Sequence, residues 1–542
     1  MPGNLTDEQA VPFGSGAPKA EPLGGRLPTV TSPPTRNRLA AILAKNVAVS
    51  IARLLIASLV AIVLPAYLTK KLPPNTYSAW VLILQVSGYV AYLDFGVQNG
   101  ISKYVSEYEA RGDFEGASLR ASAGLVMMTL LGILGSLMTL VLAWQAPNLF
   151  HEMPVSLYSE VQISLIFVGL SLSFNLFCSA FAAVFLGLQQ YAIPMAISIL
   201  NRLLFAGAVC GALFFHRGLI AMGAAVALVN VTTGLLQLIA WRKLAGHIRL
   251  SLFRANRPIL RKMISYCSVL AIWSVGMLCI NGLDVTIVGR YDYGKTGYFS
   301  IAGLPINFMI AIIGAALGPL LPSVSALSTV RTPKEMGNIL STATRYIAIM
   351  LIGSSIPLLV FGYPLLKVWV GPDYASHTIV YLRILVIANI VRMLGAPYAT
   401  MLVATDQQKV GIASAVVEAA INVASSIYLV RQLGAVGVAY GTLLGSFCGV
   451  GMHFVVSMHY TRATFVISRL GFFLRSMVLP FIAAVPTLLI LPIWWSSSAP
   501  HLPLLIWVAW GGSTFALVWW KVLKSKERVD LINVSLRRKR PA

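Results

Sequence analysis

Acidic residues are scarce in this sequence. Eighteen Asp and Glu stand against 41 Lys and Arg, and all four charged types make up only 11% of 542 residues. A soluble chain carries about a quarter of its residues as charges, so most of this surface is not built to face water. Cysteine is equally sparse. Cys178, Cys210, Cys267, Cys279 and Cys448 all lie inside apolar runs and form no CxxC pair, which excludes a disulfide framework or a structural zinc site. No Walker A loop, HExxH or GxSxG is present, so the common phosphate, zinc-protease and serine-hydrolase constellations are absent. No metal site and no cofactor is expected. A membrane glycosyltransferase or polysaccharide polymerase is still an alternative. It needs acids or histidines on a sizeable outer loop, whereas "LTKKLPPNTY" has no acid, and His151, Glu152 and Glu160 in the next loop read as surface residues.

Long apolar runs are what the chain has instead. It is 57% hydrophobic with mean hydropathy +0.78. Runs of roughly twenty apolar residues, enough to cross roughly 30 Å of hydrocarbon, recur along the chain and predict about fourteen membrane helices. The expected class is therefore an all-α polytopic membrane protein. Its segments are expected to be a Pro- and Gly-rich cytoplasmic tail (1–35), a six-helix lobe (36–241), a basic linker (242–263), a second six-helix lobe (264–460), two additional helices (461–524) and a basic tail (525–542). The tail 1–35 has no apolar core of a cleaved signal, so the first span is expected to serve as an uncleaved insertion signal.

The net charge of +23 invites a nucleic-acid reading, and its distribution excludes one. On this map only Lys70, Lys71, Arg217, Arg290, Lys295, Lys367 and Arg431 lie in outside loops, and Arg53, Arg202, Arg383 and Arg392 lie within spans. All the others fall on the opposite side, as expected of cytoplasmic segments. Both termini are thus expected in the cytoplasm of a cell with this protein in its inner membrane. The "LRRKR" end can also meet anionic lipid headgroups.

The sequence repeats itself. "GLQQY" at Gly187, Asn201 and "RGLIAMGAA" at Arg217 are matched in order by "TDQQK" at Thr405, Asn422 and "QLGAVGVAYG" at Gln432. "NTYSAW" at Asn75 likewise matches "KTGYFS" at Lys295, all at an offset of about 220 residues. Six spans per unit make the repeats parallel, which predicts two lobes around a central cavity and alternating access. Gly207/Gly211, Gly314/Gly318 and Gly441/Gly445/Gly449 place small residues four apart, a spacing that lets helices pack closely.

Polar residues inside the spans fall on stripes: Asn46, Ser50 and Arg53; Ser198 and Arg202; Asn281 and Asp284; Asn389 and Arg392; Ser414, Glu418, Asn422 and Ser425. Charges at membrane depth face one another or a hydrated cavity. The arginines, always charged and forked, suit phosphate oxygens. Asp94, Asp284, Glu418 and Asn422 are expected either to pair with charges, for example Asp94 with Arg53, or to couple a proton or sodium ion. The counterpart of Glu418, taken near Ile197, is apolar.

Tyr77 and Trp80 in "YSAW", a helix ending in "LDFGVQNGISKYVSE" and then "ARGD" resemble the start of bacterial polysaccharide flippases of the O-antigen type, in the multidrug/oligosaccharidyl-lipid/polysaccharide exporter superfamily. The resemblance is clearest over the first three spans. It departs at Ser78, where family members commonly have Gly, and in the non-acidic counterpart of Asp94 near Ala315. It implies a polyprenyl-diphosphate-linked glycan as substrate, carried from the cytoplasmic to the periplasmic leaflet for surface polysaccharide biosynthesis, with membrane lipids and polysaccharide-assembly proteins as partners. It also implies an arginine of the first span facing the cavity, and Arg53 stands in that place. Arg202 and Arg392 join it only through their stripes. Within the superfamily the alternative is a drug/cation antiporter.

Overall fold

The computed structural model describes residues 56–482, apart from 255 and 329, together with Arg53. Asn46, Ser50, both tails and most of the two additional C-terminal helices lie outside the described residues. Among those described, every regular element is helical, and eleven stretches are long and apolar enough to cross a membrane.

The first half comprises α1 (56–71), α2 (Pro74–Gly88), α3 (Val97–Ala110), α4 (Phe114–Leu149), α5 (Tyr158–Gly187), α6 (Ala192–Phe214) and α7 (Leu219–Leu244). The second comprises α8 (Arg257–Met277), α9 (Asp284–Tyr291), α10 (Thr296–Leu317), α11 (Leu320–Leu327), α12 (Pro333–Val370), α13 (Pro372–Ala404), α14 (Gln408–Leu433) and α15 (Ala435–Met452), followed by the short α16 (Met458–Tyr460) and α17 (Arg469–Phe472). On α4, Leu130, Leu134, Leu137, Val141 and Trp144 are all exposed. They alternate at spacings of four and three and so form one stripe. Water does not tolerate such a stripe on a monomer, and lipid does.

The packing repeats as the sequence does. In the first half α5 is central, touching α2, α4 and α7, with α6 on α7. In the second half α13 is central, touching α10, α12 and α15, with α14 on α15. The turns repeat too. Gln189 (φ 58°) in "GLQQY" and Asp406 (φ 57°) in "TDQQK" both have positive φ, as do His216 (φ 52°) and Gly434 (φ 60°) at the next turn. Non-glycine residues seldom adopt this conformation, so a pair in corresponding turns marks one design used twice. Counted from the Gln189/Asp406 turn, Glu418 stands opposite Asn201 and not the apolar Ile197.

Two expectations about helix contacts change. The helix expected to run on into "LDFGVQNG" is not continuous: α2 gives way to a tight turn through Tyr89–Asp94, the chain passes through left-handed Phe95 and Gly96, and α3 begins at Val97. Gly96 has φ 73°, and a Cβ there would lie 2.4 Å from Cδ1 of Leu270 on α8, so both conformation and contact require glycine. The small-residue stripes also divide. Gly441, Gly445 and Gly449 of α15 lie directly against Ser426, Asn422 and Glu418 of α14, whereas nothing approaches Gly207, Gly211 or Gly314 within van der Waals range. Small residues lower the steric barrier to close packing, but whether a neighbour fills the groove is decided elsewhere.

The two halves meet along α2. Gly289 of α9 abuts Leu82, Gly297 of α10 abuts Tyr77, and the Gly297 N–H donates to Ser78 Oγ at 3.1 Å. Tyr293 donates to the Asn75 carbonyl at 2.8 Å, and its own N–H donates to Glu152 at 3.0 Å. Trp369, near the end of α12, donates to the Ile62 carbonyl of α1 at 2.6 Å. These contacts all lie at the end of the fold where the loops carry few positive charges.

Candidate functional site

The polar side chains of the second half converge on one irregular segment. Between α8 and α9, residues Leu278–Gly282 form a widened helical turn. A turn of this kind frees carbonyls from the helix ladder, and at membrane depth each must find a partner. Here side chains supply them. Asn422 of α14 donates to the Ile280 carbonyl at 3.0 Å, while its own oxygen accepts from Ser426 at 3.1 Å. From the first half, Gln85 and Tyr89 of the α2 segment donate to the Gly282 carbonyl at 2.7 and 3.0 Å. Tyr89 also makes a short hydrogen bond with Thr286.

The same turn carries side chains into a charged cluster. Arg392 of α13 donates from Nε to Glu418 of α14 at 2.5 Å and from Nη1 to Asn281 at 3.1 Å, with Asn389 at 3.4 Å. The two charged side chains are only 12% and 11% exposed. Such a pair gains little over an apolar replacement, yet losing one partner strands the other, at about 3–5 kcal/mol. Arg392 Nη2 is buried without a hydrogen-bond partner among the described residues. Asp284, at the start of α9, accepts from Thr442 of α15 at 2.9 Å and has no ion-pair partner among the described residues. Ser414 donates to the Gly449 carbonyl at 2.6 Å, fixing α14 against α15.

Of the residues singled out from the sequence, this structure therefore brings Arg392, Glu418, Asn422 and Asp284 together around one turn. Glu418 takes the pairing alternative, with Arg392. Asp94 lies apart: its carboxylate accepts from the Gln98 N–H at 3.2 Å and caps α3, and among the described residues it does not meet Arg53. Arg53 is exposed. Arg202 is exposed too, midway along α6, with Leu200, Leu203 and Leu204 exposed around it. Asn281 and Asn389 come from the sequence stripes. Gln85, Tyr89, Thr286 and Thr442 do not, because lone neutral polar residues in apolar helices give no stripe. The only signal in the sequence was the i, i+4 spacing of Gln85 and Tyr89.

A family model described as MatE matches residues 48–209. No curated protein matches the chain. Among solved structures, the chain is similar to a lipid II flippase, MurJ, in an inward closed conformation, with 12% identity and a TM-score of 0.67 over 91% of this chain and 99% of that one. It is also similar to the inward-facing conformation of a multidrug resistance MATE family transporter of the MOP superfamily, with 15% identity and a TM-score of 0.62 over 76% of this chain and 98% of that one. An outward-facing conformation under the same description gives a TM-score of 0.50 at 15% identity, over 79% and 95%. The chain shares the fold of these solved structures. Within that fold, the widened turn lies at the contact between the two repeats, where both halves satisfy its carbonyls.

Proposed function

We propose that this protein is a transporter that moves a polyprenyl-diphosphate-linked oligosaccharide from the cytoplasmic to the periplasmic leaflet by alternate opening of its two halves. One observation carries the reading: Arg202 is exposed halfway along a span, on a helix whose neighbouring exposed residues are leucines. A guanidinium at that depth is costly against hydrocarbon alone. A phosphate on a polyprenyl tail suits both features at once, since the arginine takes the phosphate oxygens and the leucines take the tail. Arg53 offers a second cation of the same kind. The similarity to a lipid flippase over nine-tenths of the chain supports this reading, as do the contacts of Tyr293, Ser78 and Trp369, which close the end poorer in positive charge.

Asp284 is the residue we assign to cation coupling, proton or sodium. It is a carboxylate near the contact between the repeats, with a hydroxyl beside it and no ion-pair partner among the described residues. Glu418 is a weaker choice because Arg392 already neutralises it. The test is flipping of a polyprenyl-diphosphate glycan in proteoliposomes, with and without a proton or sodium gradient. Arg202→Ala and Arg53→Ala should each reduce the rate about tenfold or more, with Lys restoring part of it.

A drug/cation antiporter is the second reading, favoured by the MatE match over 48–209. It predicts gradient-driven efflux of an organic cation that Arg202→Ala leaves untouched. That result, with no glycan-lipid flipping by wild type, would overturn the first reading.

A further inference from the structure

After α15 the chain passes through a widened turn, His453–Ser457, then α16, and a loop of residues 461–468 leads to α17. This loop is tied down. The Val466 N–H donates to the Pro333 carbonyl at the start of α12, and Tyr398 of α13 bonds Thr461 at 2.9 Å. Gln407, in the turn between α13 and α14, makes a short hydrogen bond with Thr464. Gly337 leaves no space for a Cβ, which would lie 2.5 Å from the Val466 oxygen. The loop therefore has a fixed shape, and it lines a half-open cavity of about 370 Å³, within the roughly 300–1,000 Å³ usual for small-ligand sites.

The lining is amphipathic. Met458, Phe465 and Ile467 form an apolar wall, while Thr461, Arg462 and Arg469 supply the polar atoms. Among the described residues no carboxylate lines the cavity, and neither arginine forms an ion pair. Arg469 Nη2 is buried with no hydrogen-bond partner among the described residues. Protein interiors rarely leave a guanidinium nitrogen in that condition, because its donors need acceptors.

Height in the membrane narrows the ligand class. The candidate span containing α15 ends at Tyr460, and the one containing α12 begins at Pro333. Both residues are beside the cavity, so it sits where spans give way to water, the level of lipid phosphates. Two arginines beside an apolar wall match a phosphodiester joined to an apolar body.

We propose that this cavity is a phosphate-binding site occupied by the headgroup of an anionic phospholipid. Arg462 and Arg469 hold the phosphate oxygens, and Met458 and Phe465 lie against the glycerol and upper acyl chain. The site is separate from the widened turn between α8 and α9, and its test does not depend on what the protein transports.

The full-length protein in detergent is titrated with phosphatidylglycerol, phosphatidylcholine or inorganic phosphate. Thermal unfolding is followed throughout, and bound lipid is counted by native mass spectrometry. Phosphatidylglycerol is expected to raise the unfolding midpoint saturably and to remain bound in the gas phase. Its affinity is expected to fall about tenfold in R462Q/R469Q and to be partly kept in R469K, which retains charge but loses the fork. Arg462 is exposed, so R462Q alone keeps the fold and supplies a second reading, an intermediate loss, if the double variant is unstable. Equal effects of phosphatidylcholine, or unchanged affinity in R462Q, would overturn the site. Full reproduction of the shift by millimolar inorganic phosphate would overturn the lipid as occupant.

Discussion

The two halves share one plan of helices and turns but put different chemistry on it. In the first half, the contact among α5, α6 and α7 is held by neutral groups: Asn201 donates to Asn230 at 3.3 Å and to Thr233 at 3.0 Å, and Asn230 donates to Ser171 at 2.9 Å. In the second half, the corresponding helices α13 and α14 carry Arg392 and Glu418, joined to Asn281 and Asn389. Both are complete enough to fix helix positions. Only the second holds charge, and only the second is attached to a widened turn that the other half also touches. An amide network can serve packing alone. A charged network at membrane depth costs far more to build, which makes the second half the place to look for a response to ions or anionic substrate.

Breaking the charged network should therefore do the most damage. Arg392→Ala leaves Glu418 uncompensated at 11% exposure and is expected to cost about 3–5 kcal/mol. Thermal unfolding in detergent should show a large drop in midpoint. The double variant R392A/E418A removes both charges and should regain most of the lost stability. If the double variant is as unstable as the single one, packing and not charge compensation holds this site.

Removing the neutral network should do less, and it should leave ion dependence alone. Asn201→Leu deletes donors to Asn230 and Thr233 and is expected to cost about 1–3 kcal/mol, read again from unfolding. Asp284→Asn supplies the contrast: similar in size, still able to accept from Thr442, but without the charge. It should unfold near wild type while transport in proteoliposomes loses its response to the imposed cation gradient. A gradient response lost in Asn201→Leu and kept in Asp284→Asn would reverse the assignment of the two halves.

Much of this is legible in the sequence. The class followed from hydropathy, and the repeat from matched turns, because a turn needing a left-handed residue constrains short stretches such as "GLQQY" and "TDQQK" strongly. The stripe Ser414, Glu418, Asn422 did mark the α14 face that meets α15 and the turn. Partner choice was not legible. The stripes offer Arg53 as one partner for Asp94 and name no acid for Arg392. Asp94 instead caps α3, which could be seen only once Phe95 and Gly96 were known to break the helix. Tyr89 and Gln85 are not legible for a related reason: their acceptor is a backbone carbonyl, and the sequence does not show which carbonyls a widened turn will free.

The smallest expected effect concerns the contact between the halves. Ser78 lies on α2 at the contact between the halves, and its buried hydroxyl accepts from the Gly297 N–H at 3.1 Å. The two residues sit near the starts of α2 and α10, whose sequences are repeat counterparts, so this bond joins equivalent elements of the two halves. Ser78→Gly removes the acceptor and leaves that N–H unpaired in the closed arrangement, while an open arrangement could hydrate it. The change should weaken the closed end by about 0.5–1.5 kcal/mol, a shift of roughly two- to tenfold in the balance between arrangements. A cysteine at Asn75, next to the Tyr293 contact, gives the readout: its labelling rate by a membrane-impermeant maleimide should rise by that factor in the Ser78→Gly background, with unfolding nearly unchanged. Equal labelling in both backgrounds would mean that Tyr293, Trp369 and the apolar contacts of Leu82 and Tyr77 hold this end shut, and that the serine is incidental to it.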